Sequence, residues 1–280
     1  MANNNLLFEI GLEDLPSKNL NIFSDKIKIK IEKNLKKNGI NFSSIENFYT
    51  NIRLIFLIKN VDEKIIKEKK LIKGPPIDKC YENNKPTKTA MGFAKKYKVD
   101  LSELIKKEID GKEYLFCVEP ESTIYLDKII APLLEQSLNS VEEQKKMRWG
   151  DSSASFIRPI RWLLLILDDK HISGEIFRID IKNYTYGNKN ILNKKINIKN
   201  VEDYFDILTK ENIEIRQKKR QEIILEEINT IALENKFENI LDKDLVDELA
   251  NMVEYPYLYL GTFPEKYLEL PDEVLKYVIQ

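Results

Sequence analysis

The sequence predicts an α+β protein in which mixed sheets pack against helices. Between Leu20 and Leu35, apolar residues recur every three or four positions, which is the period of an amphipathic helix. The apolar runs at residues 54–58 and 156–167 are instead typical of buried strands. With 280 residues, 42% of them hydrophobic, the chain is long enough for one large or two ordinary domains.

The remaining elements follow from apolar spacing, turns and capping residues. We expect strands at residues 6–11, 48–61, 113–118, 156–167, 171–181 and 257–261. We expect one helix that ends at Gly39, one that starts at Thr87 and one that starts at Ser122 or Thr123. We also expect helices over residues 201–209, 213–233 and 241–253, and a last helix that starts at Pro271. Pro16 is suited to open the first helix, and the strand at residues 48–61 should pair with the first strand.

The charge balance limits how this chain can bind nucleic acid. It holds 45 basic and 46 acidic residues, so any contact with RNA must come from local patches rather than from bulk charge. No run reaches the roughly 18 apolar residues of a membrane helix, and the N-terminus has no basic segment followed by a long apolar one. We therefore expect a cytoplasmic protein with neither a membrane nor DNA as a partner.

Residues that carry chemistry are scarce. Cys80 and Cys117 lie far apart and His171 is the only histidine, so we expect no metal site. The chain has no glycine-rich phosphate loop and no nucleophile elbow. Glu13 and Asp14 are a possible acid/base pair, but adjacent acids are more typical of a helix start, where they complement the dipole. We predict no catalytic residues and a binding role instead.

A basic and aromatic tract leads into the apolar run at residues 156–167. Arg148 and Arg158 can bind phosphates as bidentate donors, and Trp149 can stack on an unpaired base. We add Arg161, in the same tract, to these candidates. The alternative is structural: Trp149 covers the edge of the core and Arg158 pairs with an acid such as Asp151 or Glu254.

A second cationic patch surrounds a short predicted helix. Thr87 is a reasonable cap for this helix, and Phe93 and Tyr97 lie one turn apart in it. The patch holds Lys85, Lys88, Lys95, Lys96 and Lys98 with no acid among them. The candidate phosphate-binding lysines are Lys85, Lys88, Lys95 and Lys96 of this patch and Lys73 in the turn before it. The alternative is a small surface helix with Phe93 in the core.

Four sets of residues, in this order along the chain, carry a family resemblance. They are Phe8-Glu9-Ile10-Gly11-Leu12-Glu13-Asp14-Leu15-Pro16; Lys73-Gly74-Pro75-Pro76 with Lys85-Pro86-Thr87-Lys88 and Gly92-Phe93-Ala94; Met147-Arg148-Trp149-Gly150 with Phe156-Ile157-Arg158-Pro159-Ile160; and Val253-Glu254-Tyr255-Pro256. Their order and spacing resemble those of the beta subunit of bacterial heterotetrameric glycyl-tRNA synthetase, and the chain looks like the N-terminal portion of it.

The resemblance implies an aminoacyl-tRNA synthetase made of two proteins in an alpha2beta2 complex. A separate alpha subunit binds ATP and activates glycine, so no cofactor is expected in this chain, and the beta subunit supports recognition of tRNA(Gly). The resemblance also implies an α+β domain at residues 1–145 and a second one at residues 146–280, similar to the B3/B4 editing module of other synthetases and incomplete at its C-terminal end.

One loop departs from the family pattern. Relatives commonly carry Gly-His-Arg-Phe where this chain has a glycine followed by Asn188, Lys189 and Asn190, so no role of that loop is carried over. Because glycine is the smallest substrate, we expect no editing. The leading hypothesis is a subunit that contacts tRNA and the alpha subunit. The alternatives are a protein-interaction scaffold without RNA contact and a stand-alone hydrolase of aminoacyl-tRNA.

Overall fold

Strands and helices alternate along the chain in the computed structural model, which describes residues 4–82, 85–142, 146–150, 154–189, 191, 194–238 and 241–279. The helices are α1 (Leu20–Lys37), α2 (Ile77–Cys80), α3 (Lys88–Tyr97), α4 (Leu126–Asn139), α5 (Val201–Lys210), α6 (Gln217–Asn235), α7 (Lys243–Met252) and α8 (Asp272–Ile279), with short 3₁₀ turns at Leu101–Glu103 and Glu265–Glu269. The strands are β1 (Leu6–Leu12), β2 (Ser44–Tyr49), β3 (Arg53–Lys59), β4 (Lys64–Lys67), β5 (Lys70–Pro76), β6 (Tyr81–Glu82), β7 (Lys85–Pro86), β8 (Ile105–Ile109), β9 (Lys112–Glu119), β10 (Ser122–Tyr125), β11 (Met147–Arg148), β12 (Ser155–Phe156), β13 (Ile160–Leu167), β14 (Lys170–His171), β15 (Glu175–Ile176), β16 (Ile179–Lys182), β17 (Tyr184–Tyr186) and β18 (Lys195–Asn197).

The central sheet has β1 in its middle. Within the described residues its strand order is β15-β16-β13-β1-β3-β2, with β14 beside β13. β1 is antiparallel to both neighbours, and Glu9 lies opposite Leu164 of β13 and Ile55 of β3. Every residue of β1 is buried, because both faces of the sheet are covered.

The two faces of the sheet carry separate cores. Alternate residues of β1 point to opposite faces, as the two-residue period of a strand requires. Phe8 belongs to the core that α1 and α4 complete with Ile27 and Ile130. Leu7 belongs to the core on the other face, where α5 contributes Tyr204.

Residues 64–82 and 85–125 form a smaller unit, hereafter the small unit, which follows β3 and precedes α4. Its first and last strands, β4 and β10, pair with each other. Between them, β5, β9 and β8 form a sheet against which α2 and α3 pack. The small unit has its own core, built from Cys80, Ala90 and Leu115.

The C-terminal helices are tied to the sheet by a buried arginine. α6 and α7 pack through Ile224, Val246 and Ala250. Arg220 of α6 is fully buried; its Nε donates to the main-chain oxygen of Ala250 at 2.6 Å and its Nη1 to that of Tyr49 at 3.1 Å. This arginine therefore links α6 both to α7 and to the end of β2.

The α+β class is confirmed, and most predicted helices and strands are present with shifted ends. The predicted strand at residues 48–61 is a hairpin instead. β2 and β3 flank a turn in which the N–H of Thr50 donates to the carbonyl of Arg53 at 3.0 Å and the N–H of Ile52 donates to Thr50 Oγ1 at 3.3 Å. β3 pairs with β1 as predicted.

The strand predicted at residues 171–181 is also wrong, because positive φ angles interrupt it. Gly174, Phe177 and Arg178 have φ of 156°, 54° and 63°, which an extended strand does not allow. The segment is divided into β14, β15 and β16. Residues 184–186 form a further strand, β17, which pairs with β18.

Two predicted helix starts are shifted. Ser122 and Thr123 do not cap α4 but lie in β10, where their pairing with β4 keeps the chain extended until Tyr125. Pro16 does not open α1, which begins at Leu20.

The strand predicted at residues 257–261 has no regular secondary structure. Aromatic residues favour strands only where a neighbouring strand offers pairing and packing. Tyr259, at the middle of this segment, is 89% exposed, so the local preference has no partner to satisfy it.

The central sheet takes strands from both predicted domains. β13, from the part after residue 146, pairs with β1, from the part before residue 145, and residue 145 itself lies outside the described residues. The division at this position and the B3/B4-like module stay predictions.

Candidate nucleic-acid interface

Five of the predicted cationic residues belong to the small unit. Lys73 lies in β5, Lys85 in β7, and the other three in α3. α3 packs closely on β5, because a Cβ atom added at Gly74 would lie 2.6 Å from the ring of Phe93. The structure therefore brings the strand of Lys73 and the helix of the other lysines together.

The lysines of α3 occupy its solvent face. Ala90 and Ala94 are buried against the sheet, and Phe93 packs on the small core, which fixes the opposite side of the helix as exposed. Successive residues of an α-helix are separated by about 100°, so Lys88 and Lys95 lie within about 20° of each other around the axis. Phe93 packs on the small core, as the structural alternative predicted, and the lysines face solvent. Phosphate binding by these lysines stays a prediction.

None of these five lysines forms an ion pair with another described residue. Lys73 Nζ lies 3.6 Å from the ring centroid of Tyr114, and Lys96 Nζ lies 5.3 Å from that of Tyr97. Cation–π contacts of this kind position an ammonium group without neutralising it. The patch therefore keeps its positive charge available to an external anion.

Thr87 precedes α3 but does not cap it through its side chain. Its Oγ1 instead donates to the main-chain oxygen of Lys79 at 2.7 Å. The hydroxyl thus ties the start of α3 to α2.

The tract around Arg148 and Trp149 lies on a different part of the fold. β11 and β12 pair antiparallel, Arg148 is exposed on β11, and Trp149, which follows it, is half-buried. The Trp149 ring packs edge-on against Phe177, 6.4 Å between centroids, at the margin of the main core. The core-covering alternative therefore describes Trp149, while Arg148 remains free to reach solvent.

Arg158 does not pair with Glu254. Its Nη1 lies 3.7 Å from Met147 Sδ, and Glu254 binds Arg53 instead. Asp151, the other predicted partner, lies outside the described residues. Contact of Arg158 with tRNA stays a prediction.

Arg161 lies at a cleft of about 350 Å³ that includes Leu12, Trp162 and Tyr186 in its lining. Unlike the lysines of the small unit, Arg161 has a counter-charge, since its Nε lies 3.2 Å from Glu13 Oε1.

The acids Glu13 and Asp14 do not lie at a helix start. Lys189 Nζ lies 3.0 Å from Asp14 Oδ2, and Arg161 pairs with Glu13. The nearest helix, α1, starts only at Leu20, so a role at its dipole is wrong. Both acids form exposed ion pairs, and their basic partners Arg161 and Lys189 line the cleft.

A buried polar network behind this cleft was not predicted. Arg53 and Glu9 are both fully buried, with Arg53 Nη1 2.8 Å from Glu9 Oε1. Arg53 Nε also donates to Glu254 Oε1 at 2.5 Å. Trp162 Nε1 and Thr185 Oγ1 donate to the same Glu9 oxygen at 3.0 and 2.7 Å.

Burial and neighbouring charges shift the pKa values of Arg53 and of Tyr204. Burial lowers the pKa of Arg53, but the carboxylates of Glu254 and Glu9 more than offset it and raise that pKa. Burial raises the pKa of Tyr204 well above its usual value, and the charge of Glu9 acts in the same direction. The one available signal in the sequence was a charge inside an apolar run: Glu9 interrupts β1, and Arg53 opens β3.

Among the described residues, no group of three or more histidine, cysteine, aspartate or glutamate side chains is placed to hold a metal ion. No helix within the described ranges is long and apolar enough to cross a membrane.

Comparison with known proteins decides the family. The family model of the glycyl-tRNA synthetase beta subunit matches residues 6–280. The chain belongs to this family. Among curated relatives, the glycine–tRNA ligase beta subunit of Clostridioides difficile strain 630 is 32% identical over 274 residues, and that of Acinetobacter baumannii strain AYE is 30% identical over 276 residues.

The chain covers only part of these glycine–tRNA ligase beta subunits. The alignments include 97% and 98% of this chain but 40% of each relative. The chain thus spans about 40% of the length of the curated relatives that it matches.

Two of the motifs that resemble the glycyl-tRNA synthetase beta subunit meet in the buried network. Glu9 comes from the first motif and Glu254 from the last, and Arg53 joins them. Gly11, in the first motif, lies under the indole of Trp162. These motif residues therefore build the scaffold, whereas the lysines of the small unit form an open surface.

Proposed function

We propose that this chain acts as a non-catalytic part of a glycine–tRNA ligase, contacting tRNA(Gly) while a separate alpha subunit attaches glycine with ATP. The observation that carries the proposal is the lysine face of the small unit. Lys73, Lys85, Lys88, Lys95 and Lys96 have no carboxylate partner among the described residues. Membership of the beta-subunit family supports tRNA(Gly) as the RNA.

The charge of the whole chain makes a local surface necessary. With 45 basic and 46 acidic residues, the chain as a whole does not attract a polyanion. A lysine that is already paired must give up its carboxylate before it can bind phosphate, whereas an unpaired lysine releases only counterions from the RNA. The lysine face is therefore better suited to phosphate contact than Arg161, which pairs with Glu13.

The described residues favour binding over hydrolysis. Cys80 and Cys117 are both buried, and burial raises the pKa of both thiols, which opposes thiolate formation. The Nε2 atom of His171 lies 2.7 Å from the main-chain oxygen of Ile198. None of these groups forms a nucleophile and base pair, which a stand-alone hydrolase of aminoacyl-tRNA requires.

Glycylation of tRNA(Gly) by the alpha subunit, with and without this chain, tests the proposal. The expected result is faster charging when the chain is present, together with a complex that elutes as one species. Unchanged charging and the absence of a complex would show that the chain does not work as a subunit. Incubation of glycyl-tRNA with the chain alone should give no deacylation, and measurable turnover would favour the hydrolase.

A second candidate is a scaffold that docks the alpha subunit without touching RNA. It is favoured by exposed apolar side chains near the C-terminal helices: Leu233 is 81%, Tyr259 89% and Leu268 60% exposed. Such surfaces are typical of protein interfaces. Salt separates the two candidates, because phosphate contacts weaken steeply as salt rises and an apolar interface does not.

A further inference from the structure

Gly92 occupies a position in α3 that does not require glycine. It lies in the middle of the helix and is exposed. Its backbone is not in the left-handed region, and a Cβ atom added there would meet nothing within 4 Å. Glycine within a helix lowers stability relative to alanine because it has more conformational freedom to lose. The fold therefore gains nothing from Gly92.

Four other glycines have clear structural reasons. A Cβ atom added at Gly11 would lie 1.9 Å from the indole of Trp162, and one at Gly74 would lie 2.6 Å from the ring of Phe93. Gly39 and Gly111 have φ of 73° and 75°, which side chains disfavour. Gly92 shares neither reason. Gly261 also lies in open space but outside any helix, whereas Gly92 lies inside α3, where glycine lowers stability. The bare surface that Gly92 leaves therefore needs another explanation.

The bare surface lies among the lysines of α3. From the helical rotation of about 100° per residue, Gly92 lies about 40° from Lys88 and about 40° from Lys96, on opposite sides. Lys95 lies on the same face. All three lysines are exposed and form no ion pair with described residues. Any side chain at position 92 would project between these ammonium groups.

We propose that Gly92 leaves α3 open so that the sugar–phosphate backbone of an RNA lies directly on the helix between Lys88, Lys95 and Lys96. This inference deepens the proposed function and rests on it. Glycine is a common means of letting a ligand approach a backbone closely. The lysines then hold the phosphates on both sides of the contact.

RNA fits this surface better than an acidic protein does. A carboxylate on a flexible aspartate or glutamate can reach a lysine past an intervening side chain. A phosphodiester backbone that lies along a helix needs the helix surface itself to be uncovered. The combination of a bare helix surface and flanking unpaired lysines therefore matches the RNA backbone.

Two substitutions, Gly92→Ala and Gly92→Gln, test the inference because they move stability and binding in opposite directions. Both residues are better helix formers than glycine, so the melting temperature of the chain should rise by about 2 °C. Affinity for tRNA(Gly), measured by mobility shift at fixed salt, should fall slightly for Gly92→Ala and by about tenfold for Gly92→Gln. Gly261→Gln is the matched control, since Gly261 is exposed with open space around it, and should leave binding unchanged.

Each other outcome overturns a defined part of the account. If the native chain does not bind tRNA(Gly), the proposed function fails and the inference fails with it. If the native chain binds but Gly92→Gln binds equally well, the inference alone is wrong. If Gly92→Gln keeps its affinity for tRNA but no longer co-purifies with the alpha subunit, this face binds a protein instead. If Gly92→Ala or Gly92→Gln lowers the melting temperature, the fold itself requires glycine at this position.

Discussion

Arg53 and Glu254 are joined by a hydrogen bond across a sequence separation of 201 residues, with Arg53 Nε 2.5 Å from Glu254 Oε1. The same guanidinium bonds Glu9 of β1. One buried side chain thus connects the central sheet to the segment that follows α7. Removing it leaves two buried carboxylates without their counter-charge, which costs far more than the pair itself contributes.

Arg53→Met should therefore destabilise the chain by about 3–5 kcal/mol, the usual cost of leaving a buried charge unpaired. Urea unfolding at neutral pH measures this loss. Lys36→Gln is the control, because Lys36 pairs with Glu32 on the surface and such a pair contributes only about 0.3–0.5 kcal/mol. Equal effects of the two substitutions would contradict the buried network.

Gly11→Ala tests the packing of Trp162 on β1. The added methyl group would lie 1.9 Å from the indole, so the ring must move away from its hydrogen bond to Glu9. Overpacking of this kind costs about 1–3 kcal/mol, and tryptophan fluorescence should shift with the displaced ring. Gly261→Ala, at an open position, should change the free energy of unfolding by less than about 0.5 kcal/mol. If Gly11→Ala changes neither stability nor fluorescence, the contact between Gly11 and Trp162 is refuted.

The pair of Glu214 and Arg216 predicts a pH effect. Burial raises the pKa of Glu214, but hydrogen bonds from the side chain and backbone of Arg216 outweigh it and leave that pKa below its ordinary value of 4.5. A carboxyl group whose pKa is lowered by folding stabilises the fold above its unfolded pKa and loses this contribution as the pH falls through the folded value.

Glu214→Gln should consequently reduce the free energy of unfolding at pH 7, and the gap to the native chain should narrow as the pH falls below 4.5. Urea unfolding at pH 7 and at several acidic pH values measures the gap. If the difference in free energy of unfolding between the native chain and Glu214→Gln widens in acid, the pairing of Glu214 with Arg216 is contradicted.

Local patterns were sufficient for most of the helices and strands but not for the network. The apolar spacing from Leu20 to Leu35 predicted α1 because one helix face alone decides it. The role of Arg53 depends on partners far away in the sequence, and no local pattern encodes such a pairing. The strand predicted at residues 257–261 is absent for a related reason. A local preference for extended structure forms no strand where no neighbouring strand is available for pairing.

The candidate interface was predicted in part. Clustering along the sequence identified Lys88 and Lys95, because neighbours on one short helix stay neighbours in the fold. It did not reveal that Arg161 would pair with Glu13 while the lysines stay unpaired, since that depends on how β13 is placed beside β1. The absence of a structural reason for Gly92 likewise appears only when the space around it is known.

The salt dependence of tRNA(Gly) binding decides whether the lysine face contacts RNA. For the native chain, the logarithm of the affinity should fall linearly with the logarithm of the salt concentration. In the double variant Lys88→Gln/Lys95→Gln, the affinity should drop and the slope should become shallower by about 1.4–1.8, the loss of two phosphate contacts. Lys36→Gln should match the native chain. A double variant with native affinity and native slope would contradict the account.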